Sequence, residues 1–312
     1  MKKILFYFCS CACAILPLSA MNHYAGQHDV PESEKSLKWS TCIWTNNVNF
    51  KVDPLPSKPG STDYAAVRHG RYSLMVDQNI NVGYLVVGDD SELHSAKRTL
   101  KVNRSLRLTV PPANCTTLMD LSDCTVDVGG AFEYAIWHKH MSAGRSELRL
   151  ENTKMKVKGD LTVILAANPQ LQNSEPACLM INMIGKSELN FNGGAMIDSI
   201  IKDDPAQWSF RLRFEPKGGN VPSIKFNRKG VLESFDVEVV LKDDIKPGIY
   251  PLIECNAKKS GLENIRSFKV NDNTYNLGDP LTIGKKTMKI YMGGSPRSRD
   301  TRTPNDLLLE VK

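Results

Sequence analysis

Apolar and polar residues alternate along most of the chain. Clear examples are Leu106-Arg-Leu108, Leu148-Arg-Leu150 and the longer run 210–214 (FRLRF). A period of two places one set of side chains in a core and the other in water, which is the pattern of a half-buried β-strand. No stretch of about twelve residues shows a helical period with caps at both ends. The sequence therefore predicts an all-β fold.

A looser repeat lies on top of this alternation. Three motifs consist of an apolar-x-apolar triplet followed by glycine: 126–130 (VDVGG), 155–159 (MKVKG) and 189–194 (LNFNGG). A fourth, 224–226 (IKF), reaches Gly230 after a longer turn, and the four begin 29, 34 and 35 residues apart. This degenerate period favours a parallel β-solenoid, in which each coil covers the apolar face of the next. An antiparallel β-sandwich is the alternative, because its short strands and glycine turns look similar in one sequence.

The chain divides into four predicted segments: a signal peptide (1–20), an N-terminal lead-in or cap (21–60), the solenoid body (61–235) and a C-terminal β cap (236–312). Trp39 and Trp44 lie in the lead-in, which we expect to cover the first coil, because an open solenoid end exposes unpaired strand edges. Turn residues at 246–248 (KPG) and 271–273 (NDN) predict hairpins in the cap.

The N-terminus has the layout of a secretory signal peptide. Lys2 and Lys3 precede an apolar stretch over 4–18, and Ser19-Ala20 is a small-residue cleavage candidate. The apolar stretch is shorter than the roughly 20 residues of a spanning helix. We therefore expect an exported protein of the periplasm, cell surface or medium, with no transmembrane segment after signal removal.

Several structural motifs resemble those of a known group of proteins. They are 63–67 (DYAAV), 80–88 (INVGYLVVG), 248–254 (GIYPLIE) and 305–311 (NDLLLEV). In these motifs the chain is similar to bacterial exported β-solenoid passengers built from autotransporter-associated β-strand repeats. The resemblance implies a right-handed parallel β-helix and a surface, envelope or secreted role, and it carries over no catalytic residue.

Two features depart from that group. The body is rich in Lys, Arg, Asn and Met where the coils of such passengers are rich in Gly, Thr and Ser. No run of about ten-residue alternating strands follows as a membrane barrel, so self-transport through an outer membrane is not predicted.

Composition supports a folded core and a mixed surface. Of 312 residues, 41% are hydrophobic and 24% charged, and the formal charge of +6 falls by two when Lys2 and Lys3 leave with the signal. The remaining basic residues alternate with acidic and apolar ones, as on a solvated surface. Nucleic acid is therefore not a predicted partner.

Signal removal leaves five cysteines, whose pairing the sequence leaves open: Cys42, Cys115, Cys124, Cys178 and Cys255. Export permits disulfides, and Cys115 with Cys124 is the candidate pair because a polar turn over 116–123 is expected between them. The alternative is that most are small buried apolar residues. Cys-x-x-Cys pairs are absent from the sequence, which disfavours a thiolate metal site.

Candidate chemistry is sparse. His138 and His140 share one face of a strand and could bind a metal, but no third ligand is evident, so a surface or packing role is favoured. The aspartate pairs at 89–90, 203–204 and 243–244 point in opposite directions on a strand and are read as turn caps. We predict no catalytic, cofactor-binding or metal-binding residue and no cofactor.

The sequence thus predicts a non-enzymatic structural and binding protein of the bacterial surface or envelope, or a secreted one. Its partner is a glycan or an envelope protein that contacts the long flank of the solenoid. A separate possibility is a subunit of a larger envelope assembly that uses the exposed edge of a terminal coil for strand addition. Tyr134, Trp137 and Trp208 are candidates for stacking on sugar rings. The alternative is a polysaccharide-active β-helix lyase or hydrolase, which predicts charged side chains clustered on one face over successive coils.

Overall fold

The strands follow one another in groups of three. The computed structural model describes residues 22–25, 36–45, 58–68, 73–88, 90–111, 115–135, 144–165, 177–199, 208–228, 235–256, 262, 265–293 and 306–312. The first three strands are β1 (Asn22–Ala25), β2 (Ser36–Lys38) and β3 (Trp44–Thr45). Six complete coils come next within the described ranges: β4 (Tyr64–Val67), β5 (Ser73–Val76), β6 (Ile80–Val82); β7 (Tyr84–Val87), β8 (Glu92–Ala96), β9 (Thr99–Val102); β10 (Leu106–Thr109), β11 (Thr116–Ser122), β12 (Thr125–Val128); β13 (Phe132–Ala135), β14 (Arg145–Glu151), β15 (Lys154–Val157); β16 (Leu161–Leu165), β17 (Ala177–Ile184), β18 (Glu188–Phe191); β19 (Ala195–Ser199), β20 (Trp208–Glu215) and β21 (Ser223–Phe226).

The C-terminal part adds seven further strands among the described residues. They are β22 (Phe235–Val239), β23 (Gly248–Cys255), β24 (Ile265–Val270), β25 (Asn273–Thr274), β26 (Pro280–Ile283), β27 (Lys286–Gly293) and β28 (Asp306–Val311).

These strands form three long sheets that run the length of the molecule. The first strand of each coil joins sheet A, the second sheet B and the third sheet C, and neighbouring coils pair in parallel. The predicted all-β fold with a parallel β-solenoid body is therefore confirmed. An antiparallel sandwich does not fit, because parallel strands of one sheet need a crossover through other elements, and sheets B and C provide it here.

The sequence repeat is the third strand of each coil. The four apolar-x-apolar motifs are β12, β15, β18 and β21, which pair consecutively in sheet C. Their apolar residues point inward and are fully or almost fully buried. Aromatic rings stack inside in the same way: Phe191 and Phe226 lie 5.1 Å apart with planes 8° from parallel.

Coil length grows along the chain, mainly in the sheet B strand and in the connection that leads to it from sheet A. Residues paired across sheet A are 20, 21, 26, 29 and 34 positions apart from β4 to β19. From the first to the fifth coil, the connection from sheet A to sheet B lengthens from five residues (68–72) to eleven (166–176). The sheet B strand itself lengthens from four residues in β5 to eight in β17, while the turn from sheet B to sheet C keeps two or three residues in these five coils. Each undescribed segment between β7 and β20 lies in this variable connection.

The short turn from sheet B to sheet C repeats the same backbone geometry from coil to coil. Lys97, Asp123, Asn152 and Gly185 occupy it with φ of 55°, 52°, 49° and 63°. The backbone N–H of Asp123 donates to Glu151 O, and that of Asn152 to Ile184 O. Asp, Asn and Gly tolerate this left-handed conformation better than other residues, so the turn chemistry fixes where sheet C begins.

Both ends of the solenoid carry non-parallel strands. At the N-terminus, β3 pairs antiparallel with β1, and the Trp39 and Trp44 rings lie 4.7 Å apart in the core. At the C-terminus, β26, β27 and β28 are antiparallel, and β28 joins sheet C beside β23. Parallel pairing starts within 21–60 at β1 and β2 and continues past 235 to β24. The solenoid thus reaches beyond 61–235 in both directions.

One of the two expected hairpins is present at its predicted position. Residues 271–273 turn β24 back on β25, with Asn271 and Asp272 at positive φ. In contrast, residues 246–248 lead from β22 in sheet B into β23 in sheet C, which is a crossover between sheets. A Lys-Pro-Gly turn specifies a chain reversal but not which sheet the next strand joins.

Candidate functional site: an open cleft on sheet C

The outward side chains of sheet C form a row along the solenoid. Each apolar-x-apolar strand turns its middle residue outward, and the register aligns these residues from coil to coil. From β9 to β23 the row reads Lys101, Asp127, Lys156, Asn190, Lys225 and Glu254. The first three are exposed and the next two are partly exposed.

This row lies in an open cleft of about 800 Å³. The cleft crosses β9, β12, β15, β18 and β21, so it runs along the solenoid axis. Four lysines, four asparagines, one aspartate, three valines and a glycine line it: Lys101, Lys156, Lys158, Lys225, Asn103, Asn190, Asn192, Asn227, Asp127, Val102, Val128, Val157 and Gly129. The lining is therefore positively charged and rich in hydrogen-bonding groups.

A second row follows at the turn from sheet C to sheet A. Asn227 donates through Nδ2 to Asn192 Oδ1 at 3.4 Å, and Asn256 donates to Asn227 Oδ1 at 3.0 Å. Gly129 interrupts the row, since a Cβ at this position would lie 2.1 Å from the backbone oxygen of Asn103. The close approach of two backbones thus requires glycine and leaves a gap between Asn103 and Lys158.

Three of the four cleft lysines are available for a ligand, and the fourth is paired with a carboxylate. Lys225 lies 3.5 Å from Glu254, and Lys154, just outside the cleft, lies 3.2 Å from Glu188. Lys101, Lys156 and Lys158 form no ion pair with any described carboxylate. An unpaired exposed ammonium on a flexible stem is a ready donor to an anionic ligand.

Sheet B carries a second cluster of charges on its outer face. His94 Nε2 lies 2.9 Å from Glu92 Oε2, and its Nδ1 lies 3.7 Å from Asp120 Oδ2. Interaction with Asp120 and then Glu92 raises the pKa of His94 against the opposing effect of burial. On the next coil, Arg149 lies 3.9 Å from Asp120.

The same face continues with carboxylates that are almost buried. Glu238 accepts a hydrogen bond from Arg213 Nε at 2.9 Å. Asp236 accepts from both Arg266, Nη2 to Oδ2 at 2.6 Å, and Ser267. Burial by itself raises the pKa of Asp236, but these hydrogen bonds outweigh it, so the pKa is lowered. Sheet B charges are thus engaged with one another.

Comparison with known proteins adds no relative. No protein-family model, curated protein or solved structure matches the chain.

The aromatic candidates for sugar stacking do not form a platform within the described residues. Tyr134 is fully buried, and its hydroxyl donates to Met180 O across the core at 2.7 Å. Burial raises the pKa of Tyr134 well above its usual value. The expectation that Tyr134 faces a ligand is therefore wrong, because alternation on β13 turns it inward. Trp137 lies outside the described residues, as does the side chain of Trp208.

The other candidates fall into two groups. His138 and His140 lie outside the described residues, as do Asp203, Asp204 and Asp89. Asp244 Oδ2 accepts the backbone N–H of Gly218 at 2.7 Å, and Asp90 Oδ1 accepts that of Thr116 at 3.0 Å. Each of these aspartates thus binds the backbone of a neighbouring coil, 26 positions away in the sequence, and not the backbone of its own turn as in an Asx turn.

The candidate disulfide between Cys115 and Cys124 is wrong. Residues 116–122 form strand β11 rather than a turn, and seven extended residues span roughly 23 Å. A disulfide needs Cα atoms within about 7 Å. Cys124 is buried and its Sγ lies 3.4 Å from Ser95 O, which fits the alternative reading of a small buried residue.

The described residues contain no group of three His, Cys, Asp or Glu side chains placed to hold a metal ion. They also contain no helix with the length and apolarity needed to cross a membrane.

Sequence reasoning missed the cleft residues although a signal was present. The middle residue of each apolar-x-apolar motif faces outward, so Asp127, Lys156, Asn190 and Lys225 occupy the same position in four successive motifs. Aligning the motifs by their apolar residues would have placed these side chains in one row.

Proposed function

We propose that this chain is an exported bacterial surface, envelope or secreted protein with a structural and binding role, and that an extended glycan binds in the cleft on sheet C. The observation that carries the proposal is the row of lysine, aspartate and asparagine side chains repeated across five strands. The signal-peptide layout of residues 1–20 supports export.

A solenoid face suits a long ligand better than a compact one. Neighbouring strands are about 4.8 Å apart, so the cleft offers a hydrogen-bonding side chain at each such step along the axis. The connections on both sides of β9, β12, β15 and β18 are short. A polymer lying across the strands therefore meets a charged or polar side chain at every coil.

The cleft lining supports binding rather than cleavage. Hydrolysis of a glycosidic bond ordinarily requires two carboxyl groups about 5 to 10 Å apart. Asp127 is the one carboxylate among the described residues that line the cleft. A single carboxylate between two lysines fits a recognition role.

A polysaccharide-cleaving enzyme is the second candidate, and the outer face of sheet B favours it. His94, Asp120 and Arg149 come from three successive coils. Glu147 lies two residues before Arg149 on the same strand, and its Oε1 accepts a hydrogen bond from Asn182 Nδ2 at 3.2 Å. Charged side chains gathered from successive coils are what such an enzyme requires. Their mutual ion pairs equally fit a structural network.

One experiment separates the two candidates. The purified chain is applied to an array of acidic and neutral polysaccharides, and both retention and new reducing or unsaturated ends are measured. Retention without new ends is the expected result. Product release that is lost in Glu147→Gln and kept in Lys156→Gln would overturn the binding proposal in favour of the sheet B enzyme.

Export is tested separately. Expression of the full chain in a bacterial host, followed by fractionation and N-terminal sequencing, should yield a protein in the exported fraction that begins at Met21. A cytoplasmic protein that retains residues 1–20 would contradict this part of the proposal.

A further inference from the structure

We propose that the ligand of the sheet C cleft is a linear acidic polysaccharide whose anionic groups recur on every second sugar. This inference rests on the proposed function, which requires only that some glycan binds there. The observation behind it is the alternation of lysine with non-cationic residues along the central row of the cleft.

The lysines occupy every second strand. Lys101, Lys156 and Lys225 are on β9, β15 and β21, and the strands between them carry Asp127 and Asn190. Strands in a sheet are about 4.8 Å apart, so successive lysines are separated by roughly 9 to 10 Å. This separation is about the length of two sugar units in an extended chain.

The intervening residues define what lies between the charges. Asp127 is exposed and can accept hydrogen bonds, so it favours a hydroxyl or amide N–H of a neutral sugar. An anionic group at that level would meet a like charge. Asn190 both donates and accepts. If the polymer had a carboxylate on every sugar, one carboxylate would be repelled by Asp127 at β12, and another would find no cation at β18, where Asn190 lies.

The middle of the cleft provides the strongest anchor. Lys156 and Lys158 both line it from the same strand segment, and neither is paired with a described carboxylate. Beside Lys158, on the preceding coil, the corner row lacks a side chain at Gly129. An acidic sugar thus has two ammonium groups and open space at this point.

Other anionic polymers fit less well. Nucleic acids place a charge on every nucleotide, and single strands bind through base stacking on aromatic side chains. The described residues that line the cleft include no aromatic side chain. Acidic polypeptides carry charges at intervals of about 3.3 Å when extended, which does not match the spacing of the lysines.

The proposal is tested by calorimetric titration of the purified full chain with three oligosaccharides of equal length. Hyaluronan carries a carboxylate on every second sugar, oligogalacturonate carries one on every sugar, and a chitin oligomer is neutral. We expect hyaluronan to bind about tenfold more tightly than either of the others.

Three variants locate the effect. Lys101→Gln combined with Lys156→Gln should weaken hyaluronan binding by at least about tenfold. The matched control combines Lys246→Gln with Lys269→Gln, which removes the same charge from exposed positions outside the cleft and should leave binding unchanged. Asp127→Asn should raise the affinity for oligogalacturonate severalfold with little effect on hyaluronan.

The outcomes distinguish this inference from the function on which it rests. Equal loss in the cleft variant and its control, or tighter binding of oligogalacturonate than of hyaluronan, would overturn the alternating-charge inference and leave glycan binding in place. Binding of the neutral chitin oligomer and of neither acidic one would also overturn the alternating-charge inference and leave glycan binding in place. Absence of binding to every glycan on the array would overturn the proposed function itself.

Discussion

The outer faces of sheets B and C carry the same order of charges but use them differently. From the second coil to the seventh, the central row of sheet B reads His94, Asp120, Arg149, Asn182, Arg213 and Glu238. The central row of sheet C reads Lys101, Asp127, Lys156, Asn190, Lys225 and Glu254. What differs is the set of side chains on either side of each row.

On sheet B the neighbouring rows supply carboxylates. Glu92 contacts His94, Glu151 lies 3.7 Å from Arg149, and Glu215 lies 3.4 Å from Arg213. On sheet C the corner row is mostly asparagine, lysine and glycine. The central row of sheet B contains arginine, whose planar guanidinium suits bidentate pairing with carboxylates. The central row of sheet C contains lysine, which is a mobile point charge. The flanking residues therefore decide whether a charged row stabilises the fold or remains open to a ligand.

The largest effect is expected in the interior behind both rows. Phe191→Ala removes a fully buried ring that stacks on Phe226 and should lower the free energy of unfolding by about 3–5 kcal/mol. Urea denaturation measures it. Asn190→Ala, on the same strand but facing outward, serves as the control and should change stability by less than about 0.5 kcal/mol. A similar loss of unfolding free energy in both variants would show that the outward side chains stabilise sheet C as much as the buried rings do.

A smaller difference should separate the two faces directly. Glu238→Gln on sheet B weakens the contacts to Arg213 and Arg211 and should cost roughly 1–2 kcal/mol of unfolding free energy. Lys156→Gln on sheet C should cost less than about 0.5 kcal/mol, because no described carboxylate pairs with it. Equal costs in the same urea titration would remove the distinction between the faces.

These expectations also show what the sequence could and could not predict. Alternation and the glycine-terminated motifs identified the solenoid and four consecutive strands of sheet C, because each strand buries its own apolar residues. Strand β11 was taken for a turn because four of its seven residues are polar. Its Met119-Asp-Leu121 segment is nevertheless an apolar-x-apolar triplet with both ends fully buried, and its pairing with β8 and β14 shows that it belongs to sheet B. Register is a property of the stack and not of one motif.

Acid should weaken sheet B through Asp236. Its pKa lies below 3.8 in the folded protein, so its stabilising effect is fully present above the pKa of the unfolded chain and is lost as pH falls through the folded value. The stability advantage of the parent over Asp236→Asn should therefore shrink below about pH 4. Urea midpoints for both proteins from about pH 6 to about pH 3 measure this, and a constant difference would contradict the assignment.

The smallest effect is expected at His94. Its pKa is raised above 6.5 by Asp120 and Glu92, so its contribution to stability is fully present below 6.5 and is lost as pH rises through the folded value. The advantage of the parent over His94→Gln should decrease between about pH 6 and about pH 8. Thermal unfolding of both proteins across that range tests it, and an advantage that grows with pH would show that His94 is held neutral.

Lysine footprinting tests the central claim most directly, namely that sheet C lysines are open to a ligand. The purified chain is acylated with and without a hyaluronan oligosaccharide, and modification at each lysine is measured by mass spectrometry. We expect Lys101, Lys156 and Lys158 to be modified readily in the free protein and protected by the oligosaccharide, while the modification of Lys246 and Lys269 is the same with and without it. If the oligosaccharide left the modification of all five lysines unchanged, the result would contradict ligand binding at the sheet C lysines.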